Sequence, residues 1–266
     1  MLSVKWTAIS TIARMGYIAK GVVYFMVGLL TVQTTIGMGG QTSNATDALQ
    51  EIIYRPFGNV LLILIMIGLI AHAVWRIIQG IKDPENRDNS FRTKLFRVFD
   101  VLTGLLYISM SYAAWQILQG LNTQDSGQST EVWVARILEL PYGTWLVMIC
   151  ALLILIGGLY QFYSAWSAGF DYSFDFSKMN DTEKKTLRSL GRIGISAWGV
   201  VYCMVAYLFY NASVTFDSDQ AGGLSQALST LREQPFGTLA LGITSAGLLI
   251  YGIYLLVLSY YHQISR

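Results

Sequence analysis

Six long apolar stretches alternate with shorter polar segments along the chain. They cover approximately residues 15–36, 58–79, 98–119, 143–168, 193–212 and 236–261. Each is long enough to cross a bilayer, which takes roughly 20 residues of helix. Because lipid offers no hydrogen-bond partner to backbone groups, segments this apolar must be helical. The pattern predicts an all-α membrane protein with six transmembrane helices.

The overall composition is that of a membrane protein. Of the 266 residues, 53% are hydrophobic and 13% are charged, whereas a soluble domain carries about 25% charged residues. The first apolar stretch is long and lacks a small-residue cleavage site, so it is predicted to be a retained helix. The two cysteines, Cys150 and Cys203, fall inside predicted spans, where we interpret them as small apolar packing residues.

Lysine and arginine are concentrated on one side of the predicted membrane domain. Fifteen of the eighteen lie at the N-terminus, in the second and fourth connections, and at the C-terminus. Only Arg55, Arg136 and Arg232 lie on the other side, whereas the acidic residues are divided evenly. The positive-inside rule therefore predicts a multi-pass protein of the cell inner (plasma) membrane with both termini in the cytoplasm. We interpret the basic face as a topology signal and predict no nucleic-acid partner.

Three copies of one short motif begin the odd-numbered predicted helices. Each has an arginine, a glycine seven residues later and a tyrosine three residues after that, as in the first copy, RMGYIAKGVVY. Glycine lets two helices approach closely in lipid, where van der Waals packing drives association. The arginine can reach phosphate head groups or bond the last carbonyls of a neighbouring helix. We predict a structural role first for these nine residues: Arg14, Gly21, Tyr24, Arg97, Gly104, Tyr107, Arg192, Gly199 and Tyr202.

The even-numbered helices repeat as well. Proline, an aromatic residue and glycine begin each of them, and the proline lies 42, 44 and 43 residues after the motif arginine in the three copies. We predict that the proline occupies the first helical turn, where its missing N–H is not needed. The distances predict one membrane domain, 1–266, built from three tandem repeats at 10–80, 93–168 and 188–262. Since two spans restore the original orientation, the repeats are parallel and are predicted to surround a pseudo-threefold axis.

A short amphipathic segment precedes each of these prolines. Apolar residues recur there at the spacing of one helical face: at 48, 49, 52 and 53, at 133, 134, 137 and 138, and at 227, 228 and 231. We predict a short helix in each outer loop, lying at the membrane interface or folded onto the bundle.

The thrice-repeated motif, with Pro-aromatic-Gly after each copy, resembles the bacterial membrane family called domain of unknown function 1206. Members of that family look like three tandem copies of a two-helix unit, and the resemblance covers roughly residues 10–262. The middle copy departs most, because Phe99 replaces the glycine found at Gly16 and Gly194. The resemblance implies a fold and a membrane location, and it implies no reaction.

Three ionisable residues inside the predicted spans are candidates for a functional role, namely Lys20, Asp100 and His72. Lys20 and Asp100 either form an ion pair or, as we favour, reach the interface separately. A haem would need a second histidine facing His72, but His262 lies eleven residues further from its proline, roughly 16 Å along a helix. We therefore predict no cofactor and no metal, and we expect His72 to bond to a neighbouring helix.

An amide residue follows nineteen positions after each motif arginine, at Gln33, Gln116 and Asn211. These amides are predicted near the outer ends of the odd-numbered helices. Together with the motif tyrosines they could line a polar vestibule on the axis. They could also join helix to helix, which is the interpretation we favour.

No catalytic motif accompanies these residues. The chain has no HExxH, no glycine-rich phosphate loop and no Ser-His-Asp arrangement. We expect a non-enzymatic accessory, assembly or interaction protein whose partners are the lipid bilayer and another membrane protein. The alternatives are a small-solute or ion transporter with a site on the axis, and a binder of a lipid or cofactor.

Overall fold

The computed structural model describes residues 2–37, 45–54, 56–82, 91–121, 128–167 and 179–261. Within these residues the chain forms nine α-helices and one short 3-10 turn at Ser218–Gln220. The helices are α1 Leu2–Thr35, α2 Ala45–Ile53, α3 Gly58–Lys82, α4 Phe91–Leu118, α5 Gln128–Leu138, α6 Gly143–Trp166, α7 Asp181–Thr215, α8 Leu224–Glu233 and α9 Gly237–Tyr261. Helices α1, α3, α4, α6, α7 and α9 contain segments long and apolar enough to cross a membrane. The predicted all-α membrane fold with six spans is confirmed.

The three short helices α2, α5 and α8 confirm the prediction of a helix in each outer loop. On α2 the apolar face is fully covered, with Leu49 and Ile52 buried against the bundle. On α8, Leu228 is buried in the same way. Helix α5 is covered less, because Val134 is buried while Trp133 remains exposed. Two of the loop helices are therefore folded onto the bundle, and the middle one presents an aromatic residue at its surface.

The proline of the repeat does not lie in the first helical turn, so that prediction is wrong. Helices α3, α6 and α9 each begin at the glycine, two residues after the proline. The aromatic residue between them caps the helix: the carbonyl of Phe236 accepts a bond from the N–H of Ala240 at 3.0 Å. A side chain on Gly237 would collide with the carbonyl of Arg232 at the end of the loop helix. The tight turn between loop helix and spanning helix therefore requires glycine, and it displaces the proline outward.

The six spanning helices pack in a partly closed ring. Each motif helix contacts the second helix of the preceding repeat, with α1 against α9, α4 against α3 and α7 against α6. Within repeats, α1 packs on α3 and α7 packs on α9. No comparable packing joins α4 and α6 in the described residues, and we call this side of the bundle the open seam. Because the middle repeat lacks its internal contact, the pseudo-threefold axis remains a prediction.

The motif glycines seat the contacts between repeats. Each faces a small residue of the neighbouring helix, seventeen positions after that helix's proline. A Cβ atom built on one member of each pair would lie 2.8 to 3.2 Å from a backbone carbonyl of the other. The pairs are Gly21 with Gly252, Gly104 with Ala73, and Gly199 with Gly158. Close backbone approach at these pairs is the packing role that the repeated glycine predicts.

A second set of small residues closes the seams within the first and third repeats. Two positions after the arginine, a Cβ on Gly16 would lie 2.6 Å from that of His72 on α3. Five positions after the arginine, Ala19 lies against Gly68, and a Cβ built on Gly68 would lie 2.5 Å from the Cβ of Ala19. The third repeat has the corresponding pairs Gly194 with Tyr251 and Ala197 with Gly247.

Larger residues occupy these positions in the middle repeat, and this accounts for the open seam. Phe99 replaces the first small residue, and Leu102 and Leu153 replace the alanine–glycine pair. Leu102 and Leu153 are 49% and 46% exposed, and nothing outside α6 lies within 4 Å of a Cβ built on Gly157. Bulky side chains on both helices prevent the close approach that the other two repeats achieve.

The motif arginine of the middle repeat binds the end of a neighbouring helix. Nε of Arg97 donates to the carbonyl of Gly80 at 2.8 Å, and a terminal guanidinium nitrogen donates to the carbonyl of Ile81 at 2.6 Å. These carbonyls belong to the last turn of α3, which has no further helical N–H to bond them. One of the two roles proposed for this arginine is therefore present in the structure. Arg14 and Arg192 are exposed at the same end of the bundle.

We expect Arg97→Gln to lower the free energy of unfolding by about 1–2 kcal/mol, because it removes charged hydrogen bonds that stay partly exposed. Arg97→Lys should recover less than half of the loss, since an ammonium cannot reproduce the planar fork. The measurement is thermal unfolding of purified protein in lipid nanodiscs. Lys94→Gln, an exposed charge on the same turn of α4, is the control and should change little. An equal loss in the control variant would show that charge at this end, and not capping, matters.

Candidate functional site

The ammonium of Lys20 lies inside the bundle between three tyrosine rings. Its Nζ is 5.6 Å from the ring centre of Tyr24, 5.7 Å from that of Tyr107 and 5.6 Å from that of Tyr251. These rings come from α1, α4 and α9, and we call them the tyrosine cage. Among the described residues, no carboxylate or other acceptor binds this ammonium. The lysine side chain is half-buried, so it is within reach of a ligand.

An ion pair lies beside the cage and joins α3 to α4. A guanidinium nitrogen of Arg76 is 2.7 Å from a carboxylate oxygen of Asp100. The Asp100 side chain is 10% exposed and that of Arg76 is 27% exposed. Asp100 therefore pairs with Arg76 and not with Lys20. The Lys20 side chain does not reach the interface, so the prediction that we favoured is wrong. The pair cancels its own charge, so the charge of Lys20 is left unbalanced among these groups.

His72 is fully buried at the within-repeat contact of α1 and α3. Its ring centre lies 4.6 Å from that of Tyr107 and 5.5 Å from that of Tyr17, both in edge-on geometry. Because Gly16 has no side chain, the His72 ring lies directly against the backbone of α1. His262 falls outside the described residues, so the depth argument against a shared haem stays as the sequence states it.

Trp198 extends the cage on the α7 side. Its ring centre lies 5.0 Å from Tyr24, 6.1 Å from Tyr251 and 5.6 Å from Tyr202. The indole Nε1 is buried and has no hydrogen-bond partner in the described part of the chain. An indole N–H can only donate. The site therefore offers a second donor without an acceptor among the described residues, on a ring that contacts two of the three rings around the Lys20 ammonium.

The three amides do not join the tyrosines. Gln33, Gln116 and Asn211 are all half-buried, and each follows its motif tyrosine by nine residues. Nine residues are two and a half turns of helix, so amide and tyrosine lie on opposite faces. No hydrogen bond links the amides to one another in the described residues. A single vestibule lined by both sets is therefore not formed.

Sequence reasoning missed three members of the site: Arg76, Trp198 and Tyr251. Arg76 lies near the end of a predicted helix, where an arginine is expected to reach the interface. Only the fold shows that its side chain turns inward to Asp100. A signal was available for Trp198, because it occupies the motif position held by Lys20 in the first repeat and by Thr103 in the second. This variable position of the motif faces the cage in two of the three copies, since Lys20 and Trp198 both contact Tyr24.

Comparisons with known proteins agree with the three-repeat architecture. The profile of the family described as Domain of Unknown Function (DUF1206) matches residues 15–83, 101–168 and 193–262. A relative from Bacillus subtilis (strain 168), called "Uncharacterized protein YxxB", is 32% identical over 257 residues, which cover 97% of this chain and 92% of the relative. No solved structure matches. With three tandem matches in order and a relative similar over nearly its full length, the chain belongs to the DUF1206 family of membrane proteins.

Proposed function

We propose that this protein is a non-enzymatic membrane protein that binds an anion in the middle of its helix bundle. One observation carries the proposal: two donors at the tyrosine cage, the half-buried ammonium of Lys20 and the buried indole N–H of Trp198, lack acceptors among the described residues. The ammonium of Lys20 has no carboxylate partner, and the indole N–H of Trp198 has no acceptor. An anion supplies acceptors for both groups.

The charge balance at the centre supports a bound anion. Arg76 and Asp100 neutralise one another at 2.7 Å, which leaves the positive charge of Lys20. Removing an ammonium from water costs several kcal/mol, whereas a cation–π contact returns about 0.5–2 kcal/mol. Charges inside a membrane are rare unless paired or functional. An anionic ligand would complete the balance that the tyrosine rings begin.

Binding without turnover fits the chemistry of the groups at the site. Lys20 lies among tyrosine rings, and Trp198 contacts two of these rings. The ammonium and the indole N–H are donors that can hold and orient an anion. The carboxylate of Asp100 is engaged by Arg76 and is not free to act as a base. A nucleophile poised beside a base, which covalent catalysis requires, is not among the described groups of the cage.

We also propose that the chain lies in the bacterial plasma (inner) membrane with both termini in the cytoplasm. The support is the concentration of fifteen of eighteen basic residues on the side that carries the termini. A fluorescent protein fused after the C-terminus should fluoresce, and a periplasmic reporter enzyme fused there should be inactive. A second membrane protein as partner remains a prediction.

Ligand stabilisation tests the anion site directly, because a ligand that binds only the folded state raises the unfolding temperature. We would titrate the full chain, in nanodiscs of a zwitterionic lipid at constant ionic strength, with sodium acetate, inorganic phosphate and sodium laurate. At least one probe should stabilise the wild type. Lys20→Met should weaken that binding by roughly 10- to 100-fold, since it removes a charged hydrogen bond. Trp198→Phe, which keeps the ring, should weaken it less.

Two controls separate binding from folding. Lys185→Met removes an exposed charge at the far end of α7 and should behave as wild type. Without any probe, Lys20→Met should be at least as stable as wild type, because an unbalanced cation has gone. Stabilisation that is equal in wild type and Lys20→Met, or no stabilisation by any of the three probes, would rule the proposal out.

A further inference from the structure

We propose that a basic groove on α7 binds the phosphate group of an acidic phospholipid, at the end of the bundle that carries the chain termini. The groove has a volume of about 440 Å³, which falls within the range of ligand pockets, roughly 300–1,000 Å³. It shares no described residue with the tyrosine cage. Its described lining residues are Asp181, Lys184, Lys185, Arg188, Ser189 and Arg192.

The groove lies on an extension of α7 that is capped and packed on the bundle. The apolar run of this helix begins at Ile193, whereas the helix itself begins at Asp181. The side chain of Asn180 accepts a bond from the N–H of Glu183, and the Glu183 carboxylate accepts one from the N–H of Asn180, both at 2.9 Å. Leu187 is buried in a cluster with residues of α6 and α9. The basic side chains therefore project from a helix whose position is fixed.

The membrane boundary at this end is marked on both α6 and α7. On α7 it follows from the start of the apolar run at Ile193. On α6 the last residue, Trp166, is 76% exposed, as expected for an aromatic residue at the interface. Its neighbour Ala165 belongs to the same buried cluster as Ile195 of α7. The two marks therefore lie at about one level across the pair of helices.

Two arginines of the groove lie at the level of lipid head groups. Arg192 and Arg188 are roughly 2 and 8 Å beyond Ile193 along the helix. The head-group region extends roughly 5–8 Å beyond the hydrocarbon on each side of a bilayer. Lys184 and Lys185 lie roughly 12–14 Å beyond the boundary and form the outer rim of the groove. A lipid phosphate would therefore meet the arginines and not the lysines.

The charge of the groove is not balanced by its described lining. Four basic residues accompany one carboxylate, that of Asp181, which is 3.4 Å from the ammonium of Lys184. Arg192 binds no residue in the part of the chain that the structure describes, whereas the corresponding Arg97 binds the end of α3. Arg192 is left for the second role that the motif predicts, contact with lipid phosphate. Arg188 has another interaction within the chain, but its guanidinium has five N–H donors to share.

A negatively charged phosphate diester is the ligand that suits two arginines one turn apart. Residues four apart lie on the same face of a helix, and a guanidinium can form two parallel bonds to a phosphate. A zwitterionic phospholipid offsets its phosphate with an ammonium, whereas phosphatidylglycerol has no such cation. Its chains continue into the bilayer beside Ile193, which is 49% exposed, and a soluble phosphate lacks that contact. Charge and level together favour an acidic phospholipid.

Native mass spectrometry of the full chain in a neutral detergent tests the site, because it counts bound lipids at each lipid concentration. We expect the first phosphatidylglycerol to bind at least tenfold more tightly than phosphatidylcholine with the same chains, since each basic residue contributes about fivefold. Arg188→Lys with Arg192→Lys keeps the charge and removes both planar forks. This pair should weaken phosphatidylglycerol binding roughly tenfold and change phosphatidylcholine binding little.

Matched variants separate the groove from positive charge in general. Arg136→Lys with Arg232→Lys makes the same change at two exposed residues away from the groove and should bind phosphatidylglycerol as wild type does. Lys184→Gln with Lys185→Gln removes two charges from the rim and keeps both arginines of the groove, so it should cost less than threefold.

A fold check accompanies these variants. Without phosphatidylglycerol, each should unfold at the same temperature as wild type. Arg192→Lys alone changes a side chain that has no partner among the described residues and should weaken binding at least threefold. The test therefore does not depend on whether the double arginine variant folds.

Three outcomes would rule the lipid site out. One is equal binding of phosphatidylglycerol by wild type and both arginine variants. Another is a loss in the lysine pair as large as that in the arginine pair, which would assign the attraction to general positive potential. The third is displacement of the lipid by an equal concentration of glycerol phosphate, which would make the groove a site for soluble phosphate.

The same measurement keeps this site distinct from the anion site at Lys20. Lys20→Met should bind phosphatidylglycerol as wild type does, because the groove and the cage share no described residue. A tenfold loss in Lys20→Met would place the lipid at the cage and overturn the assignment to α7. Failure of the groove would leave stabilisation by acetate, phosphate or laurate through Lys20 unaffected.

Discussion

Replacing Gly28 with leucine should lower the free energy of unfolding by about 3 kcal/mol, at the upper end of the cost of overpacking. A Cβ built on Gly28 would lie 2.7 Å from the Cα of Leu249 and closer still to its backbone nitrogen. Backbone cannot rotate away as the end of a flexible side chain can. Helices α1 and α9 would have to separate along the most extensive crossing of the bundle. Loss of folded protein in an SDS titration, followed by far-UV circular dichroism, measures the effect.

Gly157 provides a matched control for the same substitution. It lies in the middle of a spanning helix, as Gly28 does, but its Cβ would meet nothing outside α6 within 4 Å. Gly157→Leu should be neutral or stabilising by up to about 1 kcal/mol, since leucine favours helix over glycine. Equal losses at both glycines would mean that helix flexibility, and not close packing, is what the chain requires at these positions.

Replacing Asp100 with alanine should cost about 3 kcal/mol, because it leaves the guanidinium of Arg76 without its carboxylate inside the spanning region. The Asp100 side chain is more deeply buried than that of Arg76, with 10% of its surface exposed. The variant also leaves Lys20 and Arg76 as two unbalanced cations near the same cage. Unfolding in nanodiscs at neutral pH, with wild type measured in parallel, gives the difference.

A double variant distinguishes loss of the pair from loss of shape. Arg76→Met with Asp100→Leu removes both charges and keeps side-chain volume, so it should recover most of the stability lost in Asp100→Ala. The coupling between the two positions should then be at least about 1 kcal/mol. Additive losses in the double variant would contradict a direct interaction between Arg76 and Asp100.

The repeated features were predictable because each follows from local geometry that all three copies share. Apolar length determines a spanning helix, and amphipathic spacing determines the loop helices α2, α5 and α8. The distance from arginine to glycine places one packing surface on each motif helix, and the structure has these surfaces at Gly21, Gly104 and Gly199. The start of each even-numbered helix was misplaced by two residues, because the tight turn that requires glycine is set by contact with the preceding loop helix, and the local sequence does not encode that contact.

The candidate site depends on residues that do not repeat, and here the sequence alone is insufficient. It singled out Lys20, but it favoured the interface over Asp100 as its destination and did not identify the tyrosine cage. That choice follows from which helices become neighbours: α3 brings Arg76 to Asp100, while α4 and α9 bring tyrosines around Lys20. Such contacts join positions far apart in the chain, and no local spacing encodes them.

By itself, then, the sequence determined the six spans, the loop helices, the three repeats and the departure of the middle copy at Phe99, because hydrophobic length, helical period and residue size are local properties. Only the tertiary structure decided that this departure, together with Leu102 and Leu153, leaves one seam open, and that tyrosine rings and no described carboxylate lie around the ammonium of Lys20. Whether a side chain closes a contact or leaves a gap depends on the residue facing it across the bundle, and that residue is chosen by the fold.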